Sequence, residues 1–328
     1  TIIFLSFFNK EPQEIVKQKA TPIIRENTNL PVAVQNPNDL AENKNTKTQI
    51  QPANVNANPK TLPKVNPIRP ENKPNEIIPA PTNLPSWNVE TIAGTPKVGN
   101  SFESGKLKVG DLLETDANSK AKIQVANIGN VEIAPNSRVK LIKTNSTEHR
   151  LSLEKGELKA KIDAPPRLFI VDTPSAVAVD LGCEYTLEVD NDGNGKLHVT
   201  KGFVALERNG REAIVPAGAI ALTKKGSGIG TPFSEDASPK FQAALYKFDF
   251  ENGGSESLQT IIREASLYDS LSLWHLLSRA AKTERGKVFD ALASEIKPPA
   301  NVTREGILKL DKKMLAAWWK EIENVWFE

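Results

Sequence analysis

Side chains that could act as a nucleophile, a general base or a metal ligand are few and scattered in this sequence. It has three histidines, His149, His198 and His275, and a single cysteine, Cys183. A nucleophilic cysteine needs a neighbouring base and an exposed, electropositive setting, whereas Cys183 lies in an apolar stretch that suits a small buried thiol. The histidines are too dispersed for a metal site to be expected. We therefore predict no enzyme activity, no catalytic residue, no cofactor-binding residue and no metal ligand.

One short segment looks like a calcium loop. Residues 190–195, DNDGNG, place oxygen-bearing side chains at the first, third and fifth positions and glycine at the sixth, as an EF-hand does. The twelfth position, where a bidentate glutamate is required, is Lys201, and the flanking residues are typical of strands. Because Asn-Gly between alternating apolar residues is a strong hairpin signal, we predict a hairpin tip. Adventitious calcium binding is the alternative.

A second glycine-rich run, residues 226–230, has the composition of a phosphate-binding loop. A phosphate site of that kind uses the N-terminus of a helix that follows the glycines. The sequence after this run is polar and contains Pro232, so no such helix is expected. We interpret the run as the start of a linker at residues 226–256.

These residues lie among short stretches in which apolar side chains recur at every second position. That period places one face of a strand in a core and the other in solvent. The stretches recur about every eight to twelve residues, with turn-forming residues and no helical pattern between them. We predict a mainly β domain at residues 86–225, a sandwich or a roll. The alternating positions are Ile123/Val125, Val131/Ile133, Val139/Leu141, Leu151/Leu153, Leu158/Ala160, Val177/Val179, Tyr185/Leu187/Val189 and Leu197/Val199.

The first 85 residues have the composition of an anchor followed by a tether. Residues 1–9 contain the apolar run TIIFLSFF, which is shorter than the roughly 20 residues that span a bilayer. We predict the end of a transmembrane helix whose start is missing; the end of a signal-peptide core and a stray apolar terminus are the alternatives. Residues 10–85 hold more than half of the 23 prolines and lack glycine and aromatic residues. They therefore predict a disordered linker, either an extended tether or a spacer without a positional role.

The overall composition limits the classes of partner. A net charge of +2 over 328 residues creates no field that would favour nucleic acid. The length allows two domains with ordinary cores. One cysteine cannot form an internal disulfide, so cysteine usage does not decide the compartment.

The hydrophobic period changes to about 3.6 in the last part of the chain. It predicts an α-helical C-terminal region at residues 257–328, in which Asp269, Thr283 and Asp311 are candidate helix N-caps and residues 303–310 form a short helical turn. Four of the five tryptophans lie in the final quarter. We expect them to form the core of a small bundle or to pack it on the β domain. A docking surface for a partner is the alternative.

A series of short motifs in the β region resembles the FecR domain. Where this family often has Gly-Thr-x-Phe, the chain has Gly-Cys-Glu-Tyr at 182–185, which keeps the small and aromatic characters. Parts of the helical tail are also similar to tails that follow FecR domains in some bacterial proteins. The motifs are 107–111 (LKVGD), 113–115 (LET), 131–137 (VEIAPNS), 153–158 (LEKGEL), 169–174 (FIVDTP), 179–185 (VDLGCEY), 199–204 (VTKGFV) and 215–218 (VPAG).

The resemblance implies a bacterial, membrane-anchored signalling protein. FecR domains are periplasmic modules of regulators that link an outer signal to a cytoplasmic sigma factor. On this basis we expect a single-pass inner-membrane protein, with most of the chain periplasmic, that relays a signal through protein partners in the manner of an anti-sigma factor. A sigma factor would bind through residues that precede Thr1. The alternative is a periplasmic or surface module that binds glycan, peptide or protein without a link to transcription. The sequence does not identify the residues that bind a ligand or partner.

Overall fold

A computed structural model describes residues 86–99 and 105–327 of the chain. The predicted transmembrane stub at 1–9 and the predicted linker at 10–85 lie outside the described residues. Within the described ranges, no helix combines the length and the hydropathy needed to cross a membrane. The fold class is as predicted: mainly β, followed by a C-terminal helical region.

The β structure of the described residues consists of short strands joined mostly by tight turns. The strands are β1 (Ser86–Ala93), β2 (Lys97–Val98), β3 (Lys106–Lys108), β4 (Leu112–Glu114), β5 (Lys120–Val125), β6 (Gly129–Ile133), β7 (Arg138–Thr144), β8 (His149–Ile162), β9 (Phe169–Asp172), β10 (Val177–Asp180), β11 (Glu184–Val189), β12 (Gly195–Lys201), β13 (Phe203–Arg208), β14 (Arg211–Pro216), β15 (Ala219–Lys224), β16 (Gly228–Ile229) and β17 (Phe233–Ser234).

These strands form two sheets that share one long strand. Sheet A has the order β3-β1-β5-β6-β8-β11-β12-β15, and both β16 and β17 pair with the outer edge of β15. Sheet B has the order β2-β4-β7-β8-β9-β10-β13-β14. All of these pairs are antiparallel except β8 with β9. The shared strand β8 therefore makes the domain a roll.

Gly156 is the position at which β8 passes from sheet B to sheet A. Residues before it pair with β7 and β9, and residues from Gly156 onward pair with β6 and β11. Its φ is +91°, and a Cβ there would lie 2.2 Å from Ser137 Oγ and 2.4 Å from Ser137 Cα. The Ser137 hydroxyl accepts a hydrogen bond from Glu157 N at 3.0 Å. Only glycine combines this left-handed conformation with so close an approach.

The interior of the roll follows the predicted alternation. Ile123, Val131 and Leu158 of sheet A, and Leu141 and Leu151 of sheet B, are fully buried in one continuous cluster. Both sheets thus contribute their inner faces to a single apolar core, as expected for two packed β layers.

The outer face of sheet A is polar and its charges alternate from strand to strand. Glu90, Lys122, Glu132 and Lys159 stand in register across β1, β5, β6 and β8. Opposite charges on directly opposed residues favour this register by a few tenths of a kcal/mol per pair. The row also keeps this face solvated.

Strand β10 differs from the predicted pattern of one buried and one exposed face. Ala178 faces the main core, whereas Val179 lies in a second apolar cluster with Ile170, Ala205 and Ile214. These four residues form a row in register across β9, β10, β13 and β14. Strand β10 is therefore buried on both faces, which alternation alone does not reveal.

The helical region begins earlier than predicted. The segment interpreted as a linker, 226–256, contains β16, β17 and a 12-residue helix. Phe241 and Leu245 of this helix are buried in the main core, and this packing holds the segment in a helix. Polar residues interspersed among its apolar ones weaken the helical pattern, so the sequence did not reveal it. The helices are α1 (Pro239–Phe250), α2 (Gly254–Glu264), α3 (Ser270–Arg279), α4 (Arg285–Glu295), α5 (Arg304–Leu308) and α6 (Lys312–Phe327), with a 3₁₀ turn at Leu267–Asp269.

Four of the helix starts illustrate how capping operates here. Asp311 Oδ1 accepts a hydrogen bond from Met314 N, as predicted for an N-cap, and Thr303 Oγ1 accepts one from Gly306 N at the start of the short helical turn predicted at 303–310. Asp269 precedes α3 as expected but instead bonds backward to Ser266. Helix α4 is preceded by Glu284 rather than by the predicted cap, Thr283.

The tryptophans of the helical region form part of the core, as expected. Trp318 and Trp319 of α6 are buried, and the Trp318 indole donates to Ile296 O at 3.2 Å. Trp274 of α3 packs edge-on against Trp319 with ring centroids 4.8 Å apart. These residues belong to the same apolar cluster as the inner faces of both sheets.

The requirement at Gly156 can be tested by substitution with alanine. We expect Gly156→Ala to lower the free energy of unfolding by more than about 2 kcal/mol, because a left-handed alanine costs about 1 kcal/mol and the methyl group would also overlap Ser137. Urea unfolding followed by far-UV circular dichroism measures this change. Gly210→Ala is the matched control, because Gly210 also has a positive φ, +75°, but nothing lies within 4 Å of its added Cβ. Equal losses in the two variants would show that the corner imposes no steric constraint.

Candidate functional site

The residues that could do chemistry lie on separate elements. His149 begins β8, His198 lies in β12, and His275 lies in α3. Within residues 86–99 and 105–327, no three His, Cys, Asp or Glu side chains are grouped so that they could hold a metal ion. The structure therefore assembles none of these residues into a shared centre.

His149 directly follows the turn between β7 and β8. It is buried at the start of β8, where its Nδ1 lies 2.8 Å from Thr144 Oγ1. The same hydroxyl accepts a hydrogen bond from the Trp87 indole at 3.0 Å. Burial lowers the pKa of His149. The residue thus has a structural role, since it helps tie β1 to β7 and β8.

Cys183 belongs to a buried polar group in the turn before β11. Its Sγ donates to Asp180 Oδ2 at 2.6 Å, and Gly182 N donates to Asp180 Oδ1 at 2.7 Å. Burial, followed by the charge of Asp180, raises the pKa of the Cys183 thiol. The thiol is therefore held protonated, which is the opposite of what a nucleophile requires.

Asp180 is the member of this group that sequence reasoning missed. Burial raises its pKa to about 6, although the hydrogen bonds from Cys183 and Gly182 act in the opposite direction. Tyr185 is also fully buried, and its hydroxyl has no hydrogen-bond partner within the described residues. The available signal was the position of Asp180, two residues from the core residue Ala178 and hence on the inner face of β10.

The calcium-like segment is a hairpin turn between β11 and β12, as predicted. Asp190 Oδ1 accepts hydrogen bonds from the backbone N of Asp192 and Asn194 at 2.9 and 2.8 Å, and Oδ2 accepts one from Asn194 Nδ2 at 2.9 Å. The bond from the Asn194 side chain is the main cause that lowers the pKa of Asp190. Its carboxylate thus stabilises the turn itself. The other glycine-rich run closes the β15–β16 hairpin, where Lys224 pairs with Gly228.

A groove crosses the outer face of sheet A beside the Gly156 corner. Its volume is about 620 Å³, and it extends from the middle of β8 over the adjacent ends of β11, β12 and β15 to helix α1. We call it the corner groove. Its lining consists of Ala134, Pro135, Gly156, Glu157, Glu188, Val189, Asp190, Asn194, Gly195, Lys196, Leu222, Thr223, Lys224 and Tyr246.

The charged side chains of the corner groove are arranged by strand register. Glu157, Glu188 and Lys196 stand opposite one another on β8, β11 and β12. Directly opposed carboxylates such as Glu157 and Glu188 repel each other. Lys196 Nζ approaches Glu188 Oε1 only to 3.5 Å, and both side chains are more than 40% exposed. Acidic groups therefore line one side of the groove, where Glu188 forms a long, solvent-exposed ion pair with Lys196.

The opposite wall of the corner groove is aromatic and basic. Tyr246 of α1 is 37% exposed, and Lys224 Nζ lies 5.5 Å from the centre of its ring. The groove can thus offer an aromatic face, an ammonium group and carboxylates to a ligand, and it includes no nucleophile paired with a base. Sequence reasoning missed this site because Tyr246 was assigned to a linker and because strand register brings the other residues together.

The buried carboxyl predicts a specific pH dependence. Because the pKa of Asp180 is raised when the protein folds, its contribution to stability is present at low pH and declines as the pH rises from about 4 toward 6. As the pH rises from 4 to 7, we expect the free energy of unfolding of Asp180→Asn, whose side chain cannot ionise, to increase by about 2 kcal/mol relative to that of the wild type. Chemical denaturation at both pH values measures this difference.

The control is Asp192→Asn, which also removes one carboxylate but does so at the exposed tip of the β11–β12 hairpin. A difference between Asp180→Asn and the wild type that stays constant from pH 4 to pH 7 would contradict the raised pKa of Asp180.

One protein-family model matches the central part of the roll. The family model described as FecR protein matches residues 111–205. The matched range runs from the residue before β4 into β13 and includes Gly156 and the Asp180–Cys183 pair. No match was found among curated proteins.

Two solved structures show a distant similarity to this chain. Both are crystal structures of a candidate anti-sigma factor from Parabacteroides distasonis ATCC 8503, at 1.65 and 2.50 Å resolution. Each match has 16% sequence identity and a TM-score of 0.34, and it covers 42% of this chain. The chain spans 64% of the length of that protein. Residues 111–205 of this chain are a FecR domain.

Proposed function

We propose that the chain is an envelope signalling regulator whose FecR domain relays a signal through contact with another protein. The match of residues 111–205 to the FecR family carries this proposal. FecR domains belong to regulators, so the domain supports a signalling role. The proposal extends this role to a membrane-anchored protein of the anti-sigma-factor type.

The side chains of the described residues are consistent with a protein that acts by contact with another protein rather than by catalysis. Cys183 is protonated and buried against Asp180, and the buried His149 and His275 bind within the fold. The remaining histidine, His198, pairs with Glu235 at 2.6 Å. We therefore propose that the protein is not an enzyme.

The corner groove is the surface that we propose for the partner. It adjoins the Gly156 corner, which lies within the FecR domain, and it is completed by Tyr246 from the helical region. Exposed tyrosine is a frequent anchor in protein interfaces because it contributes apolar area and one polar end. The groove joins two parts of the chain, so a partner bound there would contact both.

Anchoring and topology rest on the N-terminal sequence. The apolar run at residues 1–9 supports a transmembrane helix, and the composition of residues 10–85 supports a tether that would hold the roll away from a membrane. In this arrangement the roll is periplasmic, and a sigma factor binds on the cytoplasmic side. The similarity of the motifs to FecR regulators motivates this arrangement.

A module that binds glycan or peptide without a link to transcription is the second candidate. The mixed lining of the corner groove favours it, because an aromatic ring beside carboxylates and ammonium groups also suits a small polar ligand. Such a module would act without a sigma factor.

Substitution of Tyr246 tests the proposed function. The full gene product is purified from its host membranes, its partner is identified by mass spectrometry, and the amount of that partner is compared between variants. We expect Tyr246→Ala to reduce recovery about tenfold, as for loss of an aromatic interface anchor, and to change transcription from sigma-factor-dependent promoters. Tyr268→Ala is the matched control, because Tyr268 is 57% exposed and lies outside the groove.

Equal recovery with Tyr246→Ala and Tyr268→Ala would contradict the proposed surface. Retention of a glycan or a peptide, with no partner protein and unchanged transcription, would contradict the regulator and favour the binding module.

A further inference from the structure

One polar stripe of α3 docks the helical region onto the β structure. Ser272 Oγ donates to Pro232 O at 2.7 Å, His275 Nε2 lies 3.2 Å from Ile214 O, and Arg279 Nη1 lies 3.3 Å from Ile229 O. The three residues are spaced by three and four, so they share one face of the helix. We call this contact the α3 joint.

Arg279 places a buried positive charge at one end of the α3 joint. Its guanidinium contacts Asp249 Oδ1 of α1 at 3.3 Å, and the two side chains are only 6% and 5% exposed. Thr231 Oγ1 accepts a bond from Arg279 at 3.0 Å and donates to the same carboxylate. Arg211 of β14 adds a second guanidinium, which also reaches Ile229 O. Burial is the main cause that lowers the pKa of Arg279, and the charge of Arg211 acts in the same direction.

His275 lies one helical turn before Arg279 in the same stripe. It is buried between the rings of Trp274 and Trp319, with centroids 5.1 and 6.3 Å away. A carbonyl oxygen can only accept a hydrogen bond, so Nε2 of His275 carries the proton and donates to Ile214 O. A neutral imidazole satisfies this geometry without a second proton.

Protonation of His275 would add a charge where none can be balanced. The charge that acts on it is that of Arg279 on its own helix, and Arg279 in turn contacts Asp249 of α1 and feels the charge of Arg211 of β14. Asp249 is already paired with Arg279, and within the described residues no carboxylate forms an ion pair with His275. Burial first, and then the charge of Arg279, lowers the pKa of His275 to about 3.

The sign of the resulting pH dependence follows from this lowered pKa. The stability supplied by the neutral imidazole is fully present above about pH 6.5, the ordinary pKa of histidine, and is lost as the pH falls from there toward about 3. Acidification therefore weakens docking of α3. Asp180 acts in the opposite sense within the roll, because its pKa is raised.

We propose that the α3 joint is an acid-sensitive latch, in which protonation of His275 beside Arg279 releases the helical region from a roll that stays folded. Release would open the corner groove at Tyr246, since α1 belongs to the helical region, and would expose the apolar side chains of α3 and α6. The latch is independent of the identity of the partner and goes beyond the proposed signalling role.

The tryptophans make the latch measurable in the whole protein. In a Trp87→Phe background, the four remaining tryptophans all lie in α3 and α6. Their fluorescence reports the helical region, while hydrogen exchange at amides of β5, β8 and β11 reports the roll. Between pH 7 and pH 4 we expect a red shift of the fluorescence and loss of protection in residues 239–327, with protection retained in the strands.

His275→Gln tests the assigned residue, because its amide can still donate to Ile214 O but does not titrate. We expect the midpoint of the fluorescence transition to fall by at least one pH unit. His198→Gln, which removes a half-exposed histidine from β12, should leave the midpoint unchanged.

Three results would overturn the latch: no transition above pH 4, simultaneous loss of protection in strands and helices, or an unchanged midpoint in His275→Gln. If His275→Gln does not fold at pH 7, the exchange pattern of the wild-type protein decides between release and global unfolding.

Discussion

The two sheets depend on the close approach of Gly156 to Ser137. At this point β8 leaves one sheet and enters the other, and a hypothetical Cβ would lie 2.2 Å from the serine hydroxyl. The serine in turn holds β8 through Glu157 N, and its own backbone N binds Thr115 Oγ1 at 2.9 Å. The inner faces of sheets A and B can share one core only because a single strand turns here. The corner groove lies beside this turn for the same reason.

The helical region adds a second constraint of a different kind. Apolar packing, with Trp318 and Trp319 fully buried, contributes most of the area that α6 removes from water. The α3 joint adds a few directional contacts in which a buried guanidinium, a carboxylate and a neutral imidazole must all be satisfied. Such groups contribute little net stability when paired, but they become costly when a partner is lost or a charge is added. Apolar packing thus supplies most of the stability of the helical region, whereas the α3 joint makes its docking sensitive to the charge of the buried groups.

Local patterns made the class of fold predictable. Apolar residues of period two identified strands β5 to β8 and β10 to β12, Asn-Gly identified the β11–β12 hairpin, and Asp311 identified a helix start. Each of these signals acts over a few residues. Contacts distant in sequence were not predictable in this way: the division of β8 between two sheets, the burial of both faces of β10, and the burial of α1 against the core.

The candidate site was less predictable than the fold. Glu157, Glu188 and Lys196 meet because three strands pair in a particular register, and Tyr246 reaches them from a helix that the sequence pattern did not reveal. Asp180 lies on the inner face of a strand, where its position could have been recognised, but its pairing with Cys183 depends on the turn between them. Charged residues on a sheet look alike in sequence until register and packing distinguish the solvated face from the groove.

The central claim is that the FecR domain acts by contact with a protein, and site-specific photocrosslinking in intact cells tests it most directly. A photoreactive phenylalanine analogue is placed at position 246, in the corner groove, or at position 122, on the same face of sheet A but away from the groove. The account predicts a discrete protein adduct from position 246 alone, with a protein whose deletion abolishes the transcriptional output. An adduct of equal yield from position 122, or no protein adduct from position 246, would contradict it.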